Sequence, residues 1–320
     1  MALEIDTVTL TQTQLDQLRS TFGSHLQEHV SLKRYTAARI GGDADFLIAV
    51  DSSVELVQVV TSCWEQGIPF FILGSGSNVL VSDRGVRELV VLNRAKKVKF
   101  TKGSQPAVYA ESGVNFGALA RQAAAYGLSG LEWAAGIPGT VGGAVYGNAG
   151  AHGADMASCL LVANILQLKS LHTICQEEWS VEQLDYGYRT SSLKRQPGNA
   201  VVLAATLKLS PGTALAVQAR MDEFQAKRRT FQPAGASLGS IFKNPPGDHA
   251  GRLIEATGLK GMRIGQVEVS TVHANFIINH DNASADDYAA LIRRVQQEVL
   301  EKYRVHLELE IELIGDWRAQ

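Results

Sequence analysis

The chain has 320 residues, 45% of them hydrophobic and 19% charged, with a formal net charge of -2. That length exceeds one ordinary core and argues for two or three domains, and the charge balance gives no electrostatic reason to expect nucleic acid or an anionic membrane as partner. Cys63, Cys159 and Cys175 are odd in number, far apart and without a CxxC pair, which disfavours a disulfide framework or a zinc site and fits a reducing compartment.

The opening MALEIDTVTLTQTQ has no basic start followed by an apolar run, so no secretory signal is expected. Residues 10–30 read as an amphipathic helix. Within it, His25-Leu-Gln-Glu-His29 places two histidines at i, i+4 on one helix face, but no third metal ligand follows in a supporting motif, and no metal is expected. From Ala44 onward strands and helices alternate: a strand at Phe46–Val50, a helix at Ser53–Gln66, a strand at Phe70–Leu73, and short strands at Val79–Val81 and Glu88–Leu92. Asn115–Tyr126 has helical spacing, with Phe116, Leu119, Ala120 and Ala123 on one face.

After Pro211 a charged helix, Leu215–Phe231, leads into AGASLGSIFKNP. A short helix at Ala250–Thr257 and strands near Gly265–Val269 and Asn275–Ile278 follow. Ser284-Ala-Asp-Asp287 resembles a capping box with Asp in place of Glu, and the helix behind it packs Ile292, Val295, Val299 and Tyr303 at helical gaps. The chain ends in an alternating strand, Val305–Leu313, with Glu308, Glu310 and Glu312 on one face. Trp133–Gly153 is uncharged and long, but its glycines, Pro138, Asn148 and His152 make it too polar and broken to span a bilayer unaided. A cytoplasmic α+β protein with no membrane partner is the expectation; its oligomeric state is open, and a monomer is compatible with the sequence.

Two glycine-rich stretches are the most informative feature: GSGSN at Gly74–Asn78 and GIPGTVGGAVYGNAGAHG at Gly136–Gly153. Glycine weakens regular elements, so such density calls for left-handed backbone or close approach to a ligand. The pair suggests one extended, phosphate-bearing ligand held by backbone N–H groups, against the plainer reading of tight turns. GSGSNV fails the dinucleotide fingerprint, because its sixth position is Val79 and a strand follows, and no Walker lysine is present.

Four further places could carry chemistry. Tyr186-Gly-Tyr188-Arg189 offers an arginine whose planar fork suits a carboxylate or phosphate, though a surface ion pair is the simpler use. Gly239-Ser240-Ile-Phe-Lys243-Asn244 is not a nucleophile elbow, and a serine needs a cation or strong field to release a proton. The glutamates of the last strand, and His273-Ala-Asn275, read first as a solvated sheet face and as a loop entering a strand.

Taken in order, Tyr35-Thr36 with Arg39-Ile-Gly-Gly42, ILGSGSNVLVSDRG, GLSGLEWAAGIPGTVGGAVYGNAGAHG, YRTSSLK, GSIFKNP, AGRLIEATGLKG, VSTVHANFIIN and LELEIELIG resemble the UDP-N-acetylenolpyruvoylglucosamine reductases. The resemblance spans roughly residues 33–315. It implies an N-terminal extension (1–32), an FAD-binding domain of the vanillyl-alcohol-oxidase type made of two α+β subdomains (33–211), a smaller α+β substrate-binding domain (212–305), and a C-terminal strand returning to the FAD side (306–320). The short link between Arg189 and Val201 resembles the short-loop, type II form. Cofactor contacts would come from Gly74, Ser75, Gly76, Ser77 and Asn78 around the pyrophosphate, and from Gly136, Ile137, Gly139, Gly142 and Gly143. Substrate contacts would come from Tyr188, Lys243 and Asn244.

The chemistry implied is reduction of FAD by NADPH, then hydride transfer to the β-carbon of UDP-N-acetylglucosamine-enolpyruvate. Arg189 would stabilise the developing enolate, Glu310 would assist as its protonated form, and Ser240 would protonate the α-carbon. Two departures from the family pattern stand out: Leu309 and Glu312 replace the proline and arginine of LEPEVR, and Ser75 stands where glycine is common. The rival expectations are another flavin oxidoreductase on the same scaffold, or a binding protein for flavin or nucleotide sugar without turnover.

Overall fold

In a computed structural model, residues 10–170 and 173–317 are described; the first nine and last three residues of the expected terminal segments lie outside them. The N-terminal helix, α1 (Gln12–Phe22), starts where Thr11 and Gln14 exchange side-chain to backbone hydrogen bonds, and buries Leu18 fully. Gly23, at φ +50°, ends it. A 3-10 turn, Gly23–His25, then leads into β1 (Leu26–Ser31). The helix expected over 10–30 is therefore only half as long. His25 closes the turn and His29 lies in the strand at φ +54°, so the two rings do not share a helix face. Arg19 of α1 reaches Glu28 of β1 through two bonds of 2.9 and 3.1 Å, holding helix and strand together.

The following elements are β2 (Asp43–Val50), α2 (Ser53–Glu65), β3 (Phe70–Leu73), β4 (Val79–Val81) and β5 (Val86–Asn93). Next come β6 (Val98–Thr101), β7 (Ala107–Glu111), α3 (Phe116–Ala125), β8 (Leu128–Ser129), α4 (Val141–Gly147), β9 (Gly150–Ala151) and β10 (Ala154–Asp155). After α5 (Met156–Cys159) come the long strands β11 (Leu160–Ser170) and β12 (Thr173–Trp179), the single turns α6 (Val181–Leu184) and α7 (Ser192–Arg195), β13 (Ala200–Lys208) and β14 (Ser210–Pro211). The last part holds α8 (Ala214–Phe231), α9 (Ala250–Ala256), β15 (Arg263–Ile264), β16 (Val267–Val269), β17 (Ile277–Asn279), α10 (Ala285–Tyr303) and β18 (Glu312–Ile314).

Two compact units emerge. One takes the residues up to Leu47, Ser75–Val90 and those from Arg229 onward; the other takes Ile48–Gly74 and Val91–Arg228. These units cut the chain differently from the ligand-based segments expected above, because the chain passes between them within β2, after Gly74, within β5 and near the end of α8.

The second unit is organised by an antiparallel sheet of order β12-β11-β13-β7-β6. Its core gathers Phe116, Leu119, Ala120 and Ala123 of α3 with Trp133, Val141, Val145, Ile165 and Leu207. The expected face of α3 is the buried one, and the Phe116 and Trp133 rings meet edge to face at 5.3 Å. In the first unit the core lies under α10, whose Ile292, Val295 and Val299 are buried against Leu253, Ile254, Val267 and Ile277. Each such side chain contributes about 2 kcal/mol by leaving water. Tyr288 is fully buried too, and its hydroxyl donates to the Ile277 carbonyl at 3.1 Å.

Two expectations need correction here. The capping box at Ser284 is half made: Ser284 accepts from the Asp287 N–H at 3.0 Å, while the Asp287 carboxylate lies against Gly265, in the left-handed turn between β15 and β16. The continuous strand expected over Val305–Leu313 is also absent. The segment pairs first antiparallel through a Phe242–Leu309 bridge, then changes partner and runs parallel to β4 as β18, with Glu312, Leu313 and Ile314 facing Val79, Leu80 and Val81. The alternation survives in part, since Leu307 and Ile311 are buried.

Candidate active site

In the second unit the two glycine-rich stretches meet. Thr140 caps α4 by accepting from the Gly143 N–H at 3.3 Å, and a Cβ on Gly74 would stand 2.7 Å from the Thr140 hydroxyl oxygen. Only a residue without a side chain permits that contact. The stretch before α4 is fastened to the turn between β7 and α3. The N–H of Phe116 donates to the Gly139 carbonyl, that of Val141 to Val114, and that of Gly142 to Ser112, at 3.1, 2.8 and 2.8 Å. Ile137 packs half-buried against the core, its N–H bonded to the Ala134 carbonyl.

The other end of α4 holds the turn that carries Arg189. Asn148, in left-handed conformation at the helix C-terminus, donates to the Gly187 carbonyl at 3.0 Å. The Tyr186 hydroxyl donates to the Val145 carbonyl at 2.9 Å, and that of Ser191 to the Tyr146 carbonyl at 2.6 Å. Arg189 itself sits at φ +57°, a costly conformation for a side chain of its size, held by two bonds between Gly187 and Thr190. Its guanidinium lies 5.6 Å from the centre of the exposed Tyr188 ring and beside Gly150. At 1.5 Å per residue, α4 separates this turn from Gly74 and Thr140 by roughly 10 Å.

Sequence reasoning missed Arg228 in α8. A Cβ on Gly136 would lie 2.5 Å from its Cδ and 2.9 Å from its Nε, so the arginine stem lies directly across the start of the glycine-rich stretch. Burial pushes its pKa below the usual guanidinium range. One turn earlier Phe224 stacks on His152 at 4.2 Å, and His152 has its pKa lowered by burial and by Arg228 and Lys227. The short run Lys227-Arg228-Arg229 gives no reason in sequence to single out one member.

In the first unit Ile241, which follows Ser240, belongs with Glu310 and Asn78 to one hydrogen-bonded assembly. The Glu310 N–H donates to the Ile241 carbonyl at 2.8 Å, and the Lys243 N–H to the Glu308 carbonyl at 2.9 Å, so the GSIFKN segment and the final segment run side by side. Ser240, half-buried, immediately precedes this pairing. Asn275, 3% exposed, holds the same segment from the other side. Its carbonyl accepts from Ile241 at 2.9 Å, its side-chain oxygen accepts from the Phe242 N–H at 2.9 Å, and its amide donates to the Phe242 carbonyl at 2.8 Å. The sequence marks Asn275 only as the entry to a strand, and its one local signal is a carboxamide directly before the apolar run FII.

Lys243 lies 3.3 Å from Glu308, and the Asn244 side-chain oxygen accepts from the Ala250 N–H at 3.0 Å, so Asn244 helps to start α9. The GSGSN turn rests on Tyr35-Thr36: the Ala37 N–H donates to the Gly76 carbonyl at 2.9 Å, and Gly76 sits at φ +58° with a Cβ position only 2.0 Å from the Tyr35 carbonyl oxygen. Gly74 to Asn78 and Gly136 to Gly143 contain no charged side chain. Small and uncharged, they allow another group to come close to the main chain. Among the described residues no cluster of His, Cys, Asp or Glu could hold a metal ion, and no helix is long and apolar enough to cross a membrane.

The family model of an FAD binding domain matches residues 44–171, which contain both glycine-rich turns, and the α+β class expected from sequence is the one observed. The chain is an FAD-dependent oxidoreductase. A second family model, the C-terminal domain of UDP-N-acetylenolpyruvoylglucosamine reductase, matches residues 232–314. The chain is 45% identical over 285 residues to the reductase of that name from Rubrobacter xylanophilus, covering 89% of this chain and 94% of the relative. It is 39% identical to that from Staphylococcus aureus, covering 89% and 91%. The crystal structure of the Thermus caldophilus reductase superposes with a TM-score of 0.76 at 36% identity, over 91% of this chain and all of that one. The protein belongs to the UDP-N-acetylenolpyruvoylglucosamine reductase family.

Proposed function

We propose that the protein uses NADPH to reduce the enolpyruvyl ether of UDP-N-acetylglucosamine-enolpyruvate, giving UDP-N-acetylmuramate for peptidoglycan synthesis in the cytoplasm. Bound FAD supplies the hydride relay, from NADPH to the β-carbon of the ether. In this reading residues 33–211 bind FAD, 212–305 cover the substrate, and 306–320 return to the FAD side. Gly74–Asn78 surround the FAD pyrophosphate with backbone donors, and the glycines from Gly136 to Gly143, with Ile137, let the main chain approach the dinucleotide closely. Tyr188, Lys243 and Asn244 contact the substrate.

The chain's own residues manage charge and proton. Hydride arriving at the β-carbon leaves negative charge on the α-carbon and its carboxylate. Arg189 stabilises that charge from a turn already locked in its working conformation, so little reorganisation is needed as charge develops. Ser240 gives its hydroxyl proton to the α-carbon, and Glu310 assists; the new β-C–H and α-C–H bonds complete the reduction of the double bond. The observation that carries the reading is the pairing of the GSIFKN segment with the Glu310 segment, next to the GSGSN turn.

The test is stopped-flow kinetics of Ser240→Ala. Flavin reduction by NADPH is expected to stay within about twofold of the parent, with reoxidation by the enolpyruvyl substrate slowed at least a hundredfold, in the range of general acid catalysis. An undiminished reoxidation rate removes Ser240 as the proton donor.

A further inference from the structure

Asn78 ends the glycine turn, but its side chain points its bonding elsewhere than a ligand. The Asn78 amide donates to the Glu310 carbonyl at 3.1 Å, and the Asn78 backbone carbonyl accepts from the Glu312 N–H at 2.9 Å. Asn78 thus grips the final segment on both sides of Ile311, at the point where that segment leaves the GSIFKN strand and joins β4. Glu310 has its N–H on Ile241 and its carbonyl on Asn78, so its backbone is held at both ends of one peptide-length span.

The change of partner explains why such a grip is needed. A continuous strand holds each residue by ladder bonds to one neighbour. Here the ladder is interrupted between Leu309 and Glu312, and Glu310 and Ile311 span the gap. A side-chain amide replaces the missing ladder donor, and no residue with an apolar side chain can do so.

We propose that the Asn78 side chain is a positioning residue for Glu310, coupling the cofactor turn to the acid-bearing segment. The inference rests on the proposed role of Glu310 and adds that the Asn78 side chain, as distinct from its backbone N–H, contributes little to holding FAD.

Two single-variant holoenzymes and their combination test it: Asn78→Ala, Glu310→Gln and the double variant, compared for FAD dissociation constant, both half-reactions and the pH dependence of reoxidation. The expected result is an FAD affinity of Asn78→Ala within about threefold of the parent and unchanged flavin reduction by NADPH. Reoxidation by the enolpyruvyl substrate falls at least tenfold, with a pH profile shifted toward that of Glu310→Gln, and the double variant is no slower than Glu310→Gln alone, as expected for residues acting as one unit. Additive losses in the double variant overturn the proposal. So does an FAD affinity weakened tenfold or more with both half-reactions falling together, which would make the side chain a cofactor ligand. If Glu310→Gln alone reoxidises at the parent rate, the proposed role of Glu310 fails, and this inference with it. Should Asn78→Ala not fold, Asn78→Ser, too short to reach the Glu310 carbonyl, carries the same readouts.

Discussion

Replacing Gly76 by alanine isolates the energetic demand of the GSGSN turn, the proposed FAD contact. Gly76 sits at φ +58°, where an alanine costs about 1–2 kcal/mol. Its Cβ would stand 2.0 Å from the Tyr35 carbonyl oxygen and 2.9 Å from the Thr36 Cα, both backbone atoms that cannot swing aside. Relieving that overlap by moving main chain costs a further ~1–3 kcal/mol. It also breaks the bond from the Ala37 N–H to the Gly76 carbonyl, worth about 1 kcal/mol net. The sum is about 3–6 kcal/mol.

Gly67 supplies the matched control, because it has φ +62° with nothing within 4 Å of its Cβ position. Gly67→Ala therefore carries the conformational cost alone, about 1–2 kcal/mol. Denaturant unfolding of both variants, with and without FAD, reads the difference, and fluorescence titration reads the loss of FAD affinity expected only for Gly76→Ala. Equal destabilisation by the two substitutions, or undiminished FAD affinity in Gly76→Ala, would refute the claim that close approach to Tyr35 shapes this turn.

Asn275→Ala strands the buried N–H and carbonyl of Phe242, so a loss of about 2–5 kcal/mol is expected in chemical denaturation, with slower reoxidation by substrate; a loss under ~0.5 kcal/mol would show that another group satisfies Phe242. Burial raises the Glu88 carboxyl above its ordinary 4.5, so the fold binds this proton more tightly than the unfolded chain does. Its contribution to stability accordingly declines as pH rises from about 4.5 through the raised value. Glu88→Gln should then stabilise the protein at pH 7 and lose that advantage near pH 4, which thermal melts at the two pH values check; an advantage that grows on acidification contradicts the sign.

Much of the fold was legible in local pattern. The strands Phe70–Leu73 and Val79–Val81 fall where turn chemistry and short apolar runs placed them, and α3 and α10 bury the faces their periodicity marked. What failed depended on partners remote in sequence. Val305–Leu313 alternates like one strand, but its two halves have different neighbours, 241–243 and then β4, and period two says nothing about which neighbour is present. The N-terminal helix is shorter than its apolar spacing suggests because Gly23 stops it.

The glycine stretches marked places where main chain packs closely, and the contact of Gly74 with Thr140 gives that one glycine a steric cause. Arg228 and Asn275 were hidden for a different reason. A lone arginine in a basic run and an asparagine before a strand acquire meaning only from Gly136 and Phe242, which lie far from them in the chain.

An anaerobic titration of the purified protein shows whether the two half-reactions are joined. A yellow FAD protein is expected, bleaching with one equivalent of NADPH and regaining its colour with one equivalent of UDP-N-acetylglucosamine-enolpyruvate, yielding UDP-N-acetylmuramate. A bleached protein that stays colourless when that ether is added, while oxygen still restores it, would contradict the account.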